Sequence, residues 1–384
     1  MRLLVLSFYH APDLSAGSFR NAALVKALAA AAPQAQIDVL TAAPNRYRSF
    51  SVEAPPQESC GAVTIRRFAL PAHASGIVDQ SRAFASFALQ TLRHLRGRRY
   101  DLVYATSSRL MTAALGAWVA RRMRARLYLD IRDLFVDTIG DVLPPRIAAL
   151  ARPAFALLER WTLRRADRVN LVSPGFAEYI RSRHPRAPLA FFTNGIDEEF
   201  IAADAPPAAP AVLATPPTVL YAGNIGAGQG LDAILPELAR RLRGRARFVI
   251  IGDGGRRHAL QEALAGLDNV ELRAPVPRDA LIEAYRAADV LLLHLNDYPA
   301  FRKVLPSKLF EYAAVGKSIL AGVAGYAAEF IDKEIDNAAV FPPYDAAAAE
   351  AALAKLRLCI TPRRAFVEKY TRARASWPPW PTIS

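Results

Sequence analysis

Two doubly wound α/β domains joined by a linker are predicted from three features of the sequence. Short apolar runs alternate with longer amphipathic ones through residues 1–201. Residues 202–217 then form an Ala/Pro-rich stretch (ADAPPAAPAVLATPP at its end) with hardly a charge. From residue 218 the alternation starts again. Strands alternating with helices indicate a parallel sheet covered on both faces, and proline stiffens an exposed connection. A chain of 384 residues holds two or three domains at roughly 150 residues each, each able to bury a core without staples.

The elements follow in order. Leu3, Leu4, Val5 and Leu6 mark a buried strand over 2–7, and Gly17-Ser18 opens a helix carrying Leu24, Ala27, Leu28 and Ala31. Strands at 37–41 and 63–67 precede a helix from about 79, on which Phe84, Phe87, Ala88, Leu92 and Leu95 share one face. Next come strand 102–105, helix 111–124, strand 127–130, helix 147–165, strand 169–172, a short helix after Pro174, and strand 189–192. In the second half, strand 219–222 leads to a helix with Leu231, Ile234, Leu235, Leu238 and Leu242 on one face. Strands at 248–251, 270–272, 290–294 and 318–321 then alternate with helices at 258–267, 279–287 and 306–315. The expected domains are 1–201 and 218–362, facing a cleft where ligands gather, with 363–384 returning to the first domain.

Composition narrows the function. Hydrophobic residues at 52% and charged residues at 22% exclude a disordered chain. Cys60 and Cys359 are the only cysteines, too few for a disulfide framework or a Cys-rich zinc site; a reducing cytoplasm fits. No apolar run reaches the ~20 residues of a bilayer span; the best, 111–119, stops at Arg121, Arg122, Arg124 and Arg126. Arg2 and the short run after it do not make a secretory signal. Lys+Arg exceed Asp+Glu by 49 − 35 = 14. That surplus fits solvated arginine, an anionic membrane surface or nucleic acid. The basic residues are spread over several helices without one dense tract. The helix from 79 ends in Arg93, Arg96, Arg98 and Arg99 beyond its apolar stripe, which suggests peripheral docking on the inner membrane surface; the same stripe also fits packing against a sheet.

Three segments carry chemistry. Gly223-Asn224-Ile225-Gly226-Ala227-Gly228-Gln229-Gly230 joins a strand to a helix, where glycine lets backbone N–H groups approach an anion. It lacks the lysine of a P-loop and the spacing of the dinucleotide fingerprint, and a plain tight turn would look the same. Gly252-Asp253-Gly254-Gly255 ends the next strand similarly. The densest segment is Arg302-Lys303-Val304-Leu305-Pro306-Ser307-Lys308-Leu309-Phe310-Glu311. Pro306 suits a first helical turn, so Ser307 and Lys308 fall at the positive end of a helix, where with Arg302 and Lys303 they would neutralise a pyrophosphate. Glu311, one turn on, can accept both hydroxyls of a ribose; a solvated Lys308–Glu311 pair is the plainer alternative.

The string LPSKLFEYAAVGKSILAG, together with YAGNIGAGQGLD, IGDGG, LDIRDLF and Asn194-Gly195-Ile196-Asp197, resembles the GT-B glycosyltransferases of family 4, and most closely bacterial surface-polysaccharide enzymes that transfer N-acetylated amino sugars. The resemblance runs over nearly the whole chain. It implies a GT-B fold, a nucleotide-sugar donor held by the C-terminal domain, an acceptor brought by the N-terminal one, and retention of anomeric configuration. Glu311 matches the ribose-binding glutamate. Two departures stand out. Lys303 occupies the place of a second glutamate eight positions earlier, and Asn224 and Gln229 stand where an Arg and a Lys are common. The phosphate clamp is therefore expected to use Arg302, Lys303, Lys308 and backbone N–H groups.

In the first domain Ala16-Gly17-Ser18 resembles the family's glycine loop that contacts donor phosphates, and equally fits a simple N-cap. Asp130, Arg132, Asp133 and Asp137 follow a strand end; Asp133 could orient the acceptor hydroxyl and Arg132 the sugar or phosphate, or the group forms a local ion-pair cluster. His10, after the first strand, is an acceptor-side candidate. The catalytic set is thus Asp133, Arg132, His10, Arg302 and Lys303. The donor-binding set is Gly17, Ser18, Gly223, Asn224, Gln229, Gly252, Asp253, Val276, Ser307, Lys308 and Glu311. No Asp-x-Asp occurs and no cluster has metal spacing, so neither metal nor cofactor is implied, the nucleotide-sugar being a substrate. The expected activity is metal-independent hexosyl transfer from a UDP-type donor to a lipid-linked or glycan acceptor. A nucleotide-sugar 2-epimerase of the same fold and a basic nucleic-acid-binding protein are the alternatives; the latter would want aromatics interleaved with basic residues.

Overall fold

Runs of Leu, Val and Ile with no polar face need cover on both sides, and the sequence supplies it as two parallel sheets. The computed structural model describes residues 1–13, 15–44, 53–71, 77–107, 110–142, 145–201 and 216–372. In the first sheet lie β1 (Arg2–Leu6), β2 (Gln36–Ala42), β3 (Gln57–Cys60), β4 (Val63–Phe68), β5 (Leu102–Thr106), β6 (Arg126–Ile131), β7 (Arg168–Leu171) and β8 (Leu189–Ala190), in spatial order β3-β4-β2-β1-β5-β6-β7-β8. All pairs are parallel except β3 against β4. The helices are α1 (Ala16–Ala31), α2 (Ile77–His94), α3 (Leu110–Met123), α4 (Phe135–Val142), α5 (Pro145–Leu163) and α6 (Ala177–Arg183). β1 is buried from Leu3 to Leu6, and β5 is buried throughout.

The second sheet holds β9 (Thr218–Ala222), β10 (Arg247–Ile251), β11 (Val270–Arg273), β12 (Val290–His294), β13 (Ser318–Gly322) and β14 (Ala338–Phe341), in order β11-β10-β9-β12-β13-β14, all parallel. Its helices are α7 (Leu231–Arg241), α8 (Arg257–Ala263), α9 (Arg278–Ala287), α10 (Lys308–Val315), α11 (Tyr326–Glu334), α12 (Ala346–Leu353) and α13 (Arg364–Tyr370). Two apolar cores cover its faces: one gathers α9, α10 and α11, the other α7 and α12. Each sheet reverses strand order once, between β1 and β5 and between β9 and β12, the winding that the alternation predicts.

Several expectations change. The chain divides between Thr193 and Asn194 rather than at 201, because Ile196 and Phe200 are buried in the second unit's core. The expected linker lies outside the described residues over 202–215. Of the segment from 363 expected to return to the first unit, 373–384 lies outside the described residues; within 363–372, Phe366 and Tyr370 of α13 pack on Phe310 and Phe330, and Ile196 N–H donates to Tyr370 O at 2.8 Å. β3, an exposed edge strand, and β14 carry too little apolar periodicity to be read in advance. The strand expected over 189–192 stops at Ala190, since Asn170 takes the next backbone groups: Phe192 N–H donates to its Oδ1 (2.7 Å) and Nδ2 donates to Phe192 O (2.9 Å). The apolar stripe of α2 faces inward, with Phe87 fully buried against Phe8 and Phe68. Leu95 is buried with it and Phe84, Ala88 and Leu92 are half-buried, which fits packing on the sheet, while Arg93, Arg96, Arg98 and Arg99 are exposed beyond the stripe.

One polar group ties the first unit together. Arg20, 2% exposed on α1, donates to both carboxylate oxygens of Asp130 at 3.1 Å, to Phe192 O at 2.9 Å and to Thr193 O at 2.6 Å. Asn170 Nδ2 completes Asp130 at 2.6 Å. Burial by itself would raise the Asp130 pKa, but Arg20 holds it below the usual carboxylate range. Arg20→Met leaves that carboxylate buried without its cation, and urea unfolding is expected to show a loss of about 3–5 kcal/mol.

Candidate functional site

In a doubly wound sheet, ligands sit beyond the carboxyl ends of the strands, where the strand order reverses. In the second unit that point lies between the loops that follow β9 and β12. The β9 loop begins at Gly223, whose φ is +142°, a conformation that a side chain strains. A Cβ there would stand 2.2 Å from Lys308 Nζ. Glycine thus opens the gap through which the Lys308 ammonium passes to donate to Tyr221 Oη at 3.0 Å, lying 4.1 Å from that ring's centroid. Tyr221 Oη in turn donates to Asn224 O at 2.6 Å. Gly252 is required just as strictly, because its Cβ would meet Gly223 O at 1.9 Å. Ile225 N–H donates to Asp253 O at 2.8 Å, so the two glycine loops run against each other.

Ser307 stands at the N-cap of α10 and Lys308 is its first residue, two residues later than a start at Pro306. Burial lowers the Lys308 pKa to about 8, against the opposing effect of Glu311. Glu311, one turn on, has its pKa raised, chiefly by burial, with Arg278 and Lys308 opposing. Its carboxylate accepts from Tyr285 Oη at 3.3 Å. No Lys308–Glu311 ion pair forms among the described residues, so the two groups are not the solvated pair of the plainer alternative. Arg278 instead pairs with Asp197 and Glu199, and Arg372 with the same Asp197. This explains the Asn194–Asp197 motif. A Cβ at Gly195 would lie 2.6 Å from Arg372 Cα, and the segment fastens α13 beside α9.

The remaining donor-side candidates mostly build the loops. Asn224 Nδ2 donates to Gln229 Oε1 at 2.7 Å, and Gly226 N–H reaches the same oxygen at 3.2 Å. These two amides close the loop on itself where a cation pair was the family pattern. Asp253 Oδ1 accepts from Gly254 N–H at 2.8 Å, and Val276 packs half-buried on the core beside α9. Arg302 makes a two-pronged pair with Asp297 at 2.8 and 2.7 Å, so its charge is already matched within its own loop. Lys303 is half-buried in the adjoining 3-10 turn.

In the first unit, Gly17 and Ser18 open α1, and Ser15 caps it by accepting from Ser18 N–H at 3.1 Å. The N-cap reading therefore holds for Ser15. A Cβ on Gly17 would lie 3.7 Å from Arg132 Nε, which places the Arg132 guanidinium beside the helix start. Arg132 Nη1 is buried without a hydrogen-bond partner, and burial lowers its pKa. A cation with a spare donor next to a helix N-terminus is suited to an anion. Asp133 is exposed beside it, whereas Asp130 belongs to the Arg20 pair. His10 is 4% exposed with Nδ1 unpartnered; burial, then Arg67, lowers its pKa to about 4, leaving a neutral imidazole.

Sequence reasoning missed Tyr221, Tyr285, Arg278 and His294. His294 ends β12 beneath the glycine loop, with Nδ1 2.6 Å from Gln229 O and Nε2 accepting from Tyr344 N–H at 3.2 Å. That acceptor role fixes the proton on Nδ1. Burial lowers its pKa to about 4 from 6.5. The unfolded chain thus takes up a proton that the folded one refuses, so this contribution is complete above pH 6.5 and fades as pH falls toward 4. The stability difference between pH 7 and pH 5, from urea midpoints, is expected to be about 2 kcal/mol smaller in His294→Gln than in the parent.

Two family models match the chain: the Glycosyl transferase 4-like domain over residues 20–195 and Glycosyl transferases group 1 over residues 216–357. A putative colanic acid biosynthesis glycosyl transferase, WcaI of Escherichia coli K12, is 35% identical over 111 residues, 28% of this chain and 27% of that protein's length. Among solved structures, sucrose-phosphate synthase from Thermosynechococcus elongatus superposes with a TM-score of 0.68 at 18% identity, covering 98% of this chain and 94% of that one. Anabaena HepE in complex with UDP gives 0.65 at 14%, covering 98% and 97%. WaaG, a glycosyltransferase involved in lipopolysaccharide biosynthesis, gives 0.63 at 14%, covering 97% and 94%.

Proposed function

For a chain that belongs to the GT-B glycosyltransferases of family 4, we propose transfer of a sugar from a UDP-type donor to a lipid-linked or glycan acceptor in surface-polysaccharide synthesis. The sugar is an N-acetylated amino sugar or a derivative, and its anomeric configuration is retained. One observation carries the reading. Lys308 and Glu311 lie one turn apart at the start of α10, half-buried and not paired with each other, at the strand-order reversal of the second sheet. The glutamate accepts the ribose hydroxyls, and the ammonium faces the diphosphate.

The reaction breaks the bond from the anomeric carbon to the diphosphate oxygen and forms one to the acceptor oxygen. The acceptor proton passes to the departing phosphate on the same face. Catalysis is then stabilisation of charge on the leaving group, with Lys308, Lys303 and the N–H groups of the glycine loop as donors. On the acceptor side, Arg132 beside the start of α1 takes an anionic group and Asp133 orients the incoming hydroxyl. The WcaI relative and the likeness to WaaG support a role in bacterial surface-glycan assembly. The likeness to HepE, solved in complex with UDP, supports the choice of nucleotide.

Calorimetry with UDP tests the site. Glu311→Ala removes a charge-assisted ribose bond and is expected to cost about 2 kcal/mol, near thirtyfold in affinity; unchanged affinity would put the ribose elsewhere. Turnover in excess chelator is expected to continue, since amine and backbone donors meet the diphosphate. Complete loss that magnesium or manganese restores would replace this account with a metal-held one.

A further inference from the structure

A left-handed backbone in a residue other than glycine is costly and persists where the surroundings hold it for a use. Tyr344 is such a residue, with φ at +66°. Asp345 N–H donates to Pro342 O at 3.2 Å, which closes a β-turn with Pro343 and Tyr344 as its central pair. Proline at the first central position and a positive φ at the second define a type II turn, whose second place ordinarily takes glycine. A tyrosine that is 41% exposed stands there instead. Its N–H donates to His294 Nε2 at 3.2 Å, and its ring meets the His294 ring edge-on with centroids 5.3 Å apart. At the hydroxyl end of the ring, a Cβ on Gly230 would lie 2.7 Å from Tyr344 Oη. The chain thus forgoes glycine where the turn favours it and uses glycine where the ring needs room. The result is an aromatic side chain fixed at the surface beside the start of α7.

That ring borders a shallow groove of about 420 Å³ between α7 and the start of α12, lined also by Glu237, Arg241, Pro343, Ala346 and Ala347. The volume lies within the ~300–1,000 Å³ of small-ligand sites. The charges in it are already matched. Glu237 accepts from Arg240 and Arg241, and Arg241 also faces Glu350 at 3.6 Å. Asp345 Oδ1 caps α12 by accepting from Ala348 N–H at 2.8 Å. A phosphate therefore finds no unpaired cation among the lining residues. The ligand that gains most has an apolar face for Tyr344 and Pro343, and hydroxyl or amide groups for the fixed Glu237 and Arg241. We propose that this groove is a second glycan-binding site, which holds an uncharged stretch of N-acetylated oligosaccharide apart from the Lys308–Glu311 site. A tyrosine already held in place loses little freedom on stacking against a sugar ring. The inference rests on the reading of the chain as a sugar transferase, but it uses none of the residues assigned to donor or acceptor.

Calorimetric titration with tetra-N-acetylchitotetraose, in the absence of donor, decides it. The parent chain is expected to bind. Tyr344→Gly is expected to weaken binding about tenfold or more, as the loss of an aromatic anchor does. It is also expected to melt no lower than the parent, because the turn regains the residue it favours. Glu237→Ala with Arg241→Ala, both at exposed positions, is expected to weaken binding about tenfold with an unchanged melting curve, since exposed ion pairs add little stability. The proposal is overturned if the parent does not bind the tetrasaccharide, or if either variant binds it as tightly as the parent does. A lower melting temperature for Tyr344→Gly with unchanged affinity would leave the ring as a support of the glycine loop alone. UDP calorimetry on the same parent separates the two readings. UDP binding without tetrasaccharide binding overturns the groove alone, and the reverse overturns the donor site alone.

Discussion

The first unit is organised by one guanidinium removed from water. Arg20 reaches from α1 to Asp130 at the end of β6 and to the carbonyls of Phe192 and Thr193. A buried charge is costly unless every donor finds a partner, so those three pieces of chain must meet in one geometry. Their meeting sets the site around them. The start of α1, with Gly17 and Ser18, is held against the end of β6, and Arg132, two residues past Asp130, comes to lie beside it. The side chain that looks least catalytic thus positions the one that is best suited to hold an anion.

In the second unit the governing constraint is space. Gly223, Gly252 and Gly254 each stand where a Cβ would meet backbone or Lys308 within 2.4 Å. Two strand-end loops can therefore close on each other, and an ammonium threads between them. Removal from water leaves both ends of the Lys308–Glu311 turn easier to neutralise, the lysine with a lowered pKa and the glutamate with a raised one. Groups in that condition gain from a ligand that offers the opposite partner: phosphate oxygens for one, hydroxyl donors for the other. His294 and Tyr344 support the loop from below, which accounts for a buried neutral histidine with no part in the chemistry.

Arg302 and Lys308 show why residue type alone does not assign a role. Both are cations close to the start of α10, and the sequence treats them alike. Asp297 lies five positions before Arg302 in the same loop and matches its charge, while among the described residues Lys308 meets no carboxylate, donating to the Tyr221 hydroxyl and lying against that ring. Asn224 and Gln229 make a similar case. Their amides satisfy each other and shape the loop, a use that no spacing rule reports.

The sequence by itself determined the two parallel-sheet α/β units, the order of most strands, the family and the segment carrying Lys308 and Glu311. All of these rest on local pattern: apolar period, glycine at strand ends, and a dense motif within one helix turn. Tertiary structure alone decided which apolar face is inside. The sequence left the apolar face of α2 open between docking and packing, and Phe87 on it is buried on Phe8 and Phe68, while α5 keeps Leu150 and Leu157 in water. It also decided that Asn194–Asp197 belongs with α13, through bonds to Tyr370 and Arg372. Periodicity records that a helix has an apolar face; what covers that face depends on contacts between residues far apart in the chain.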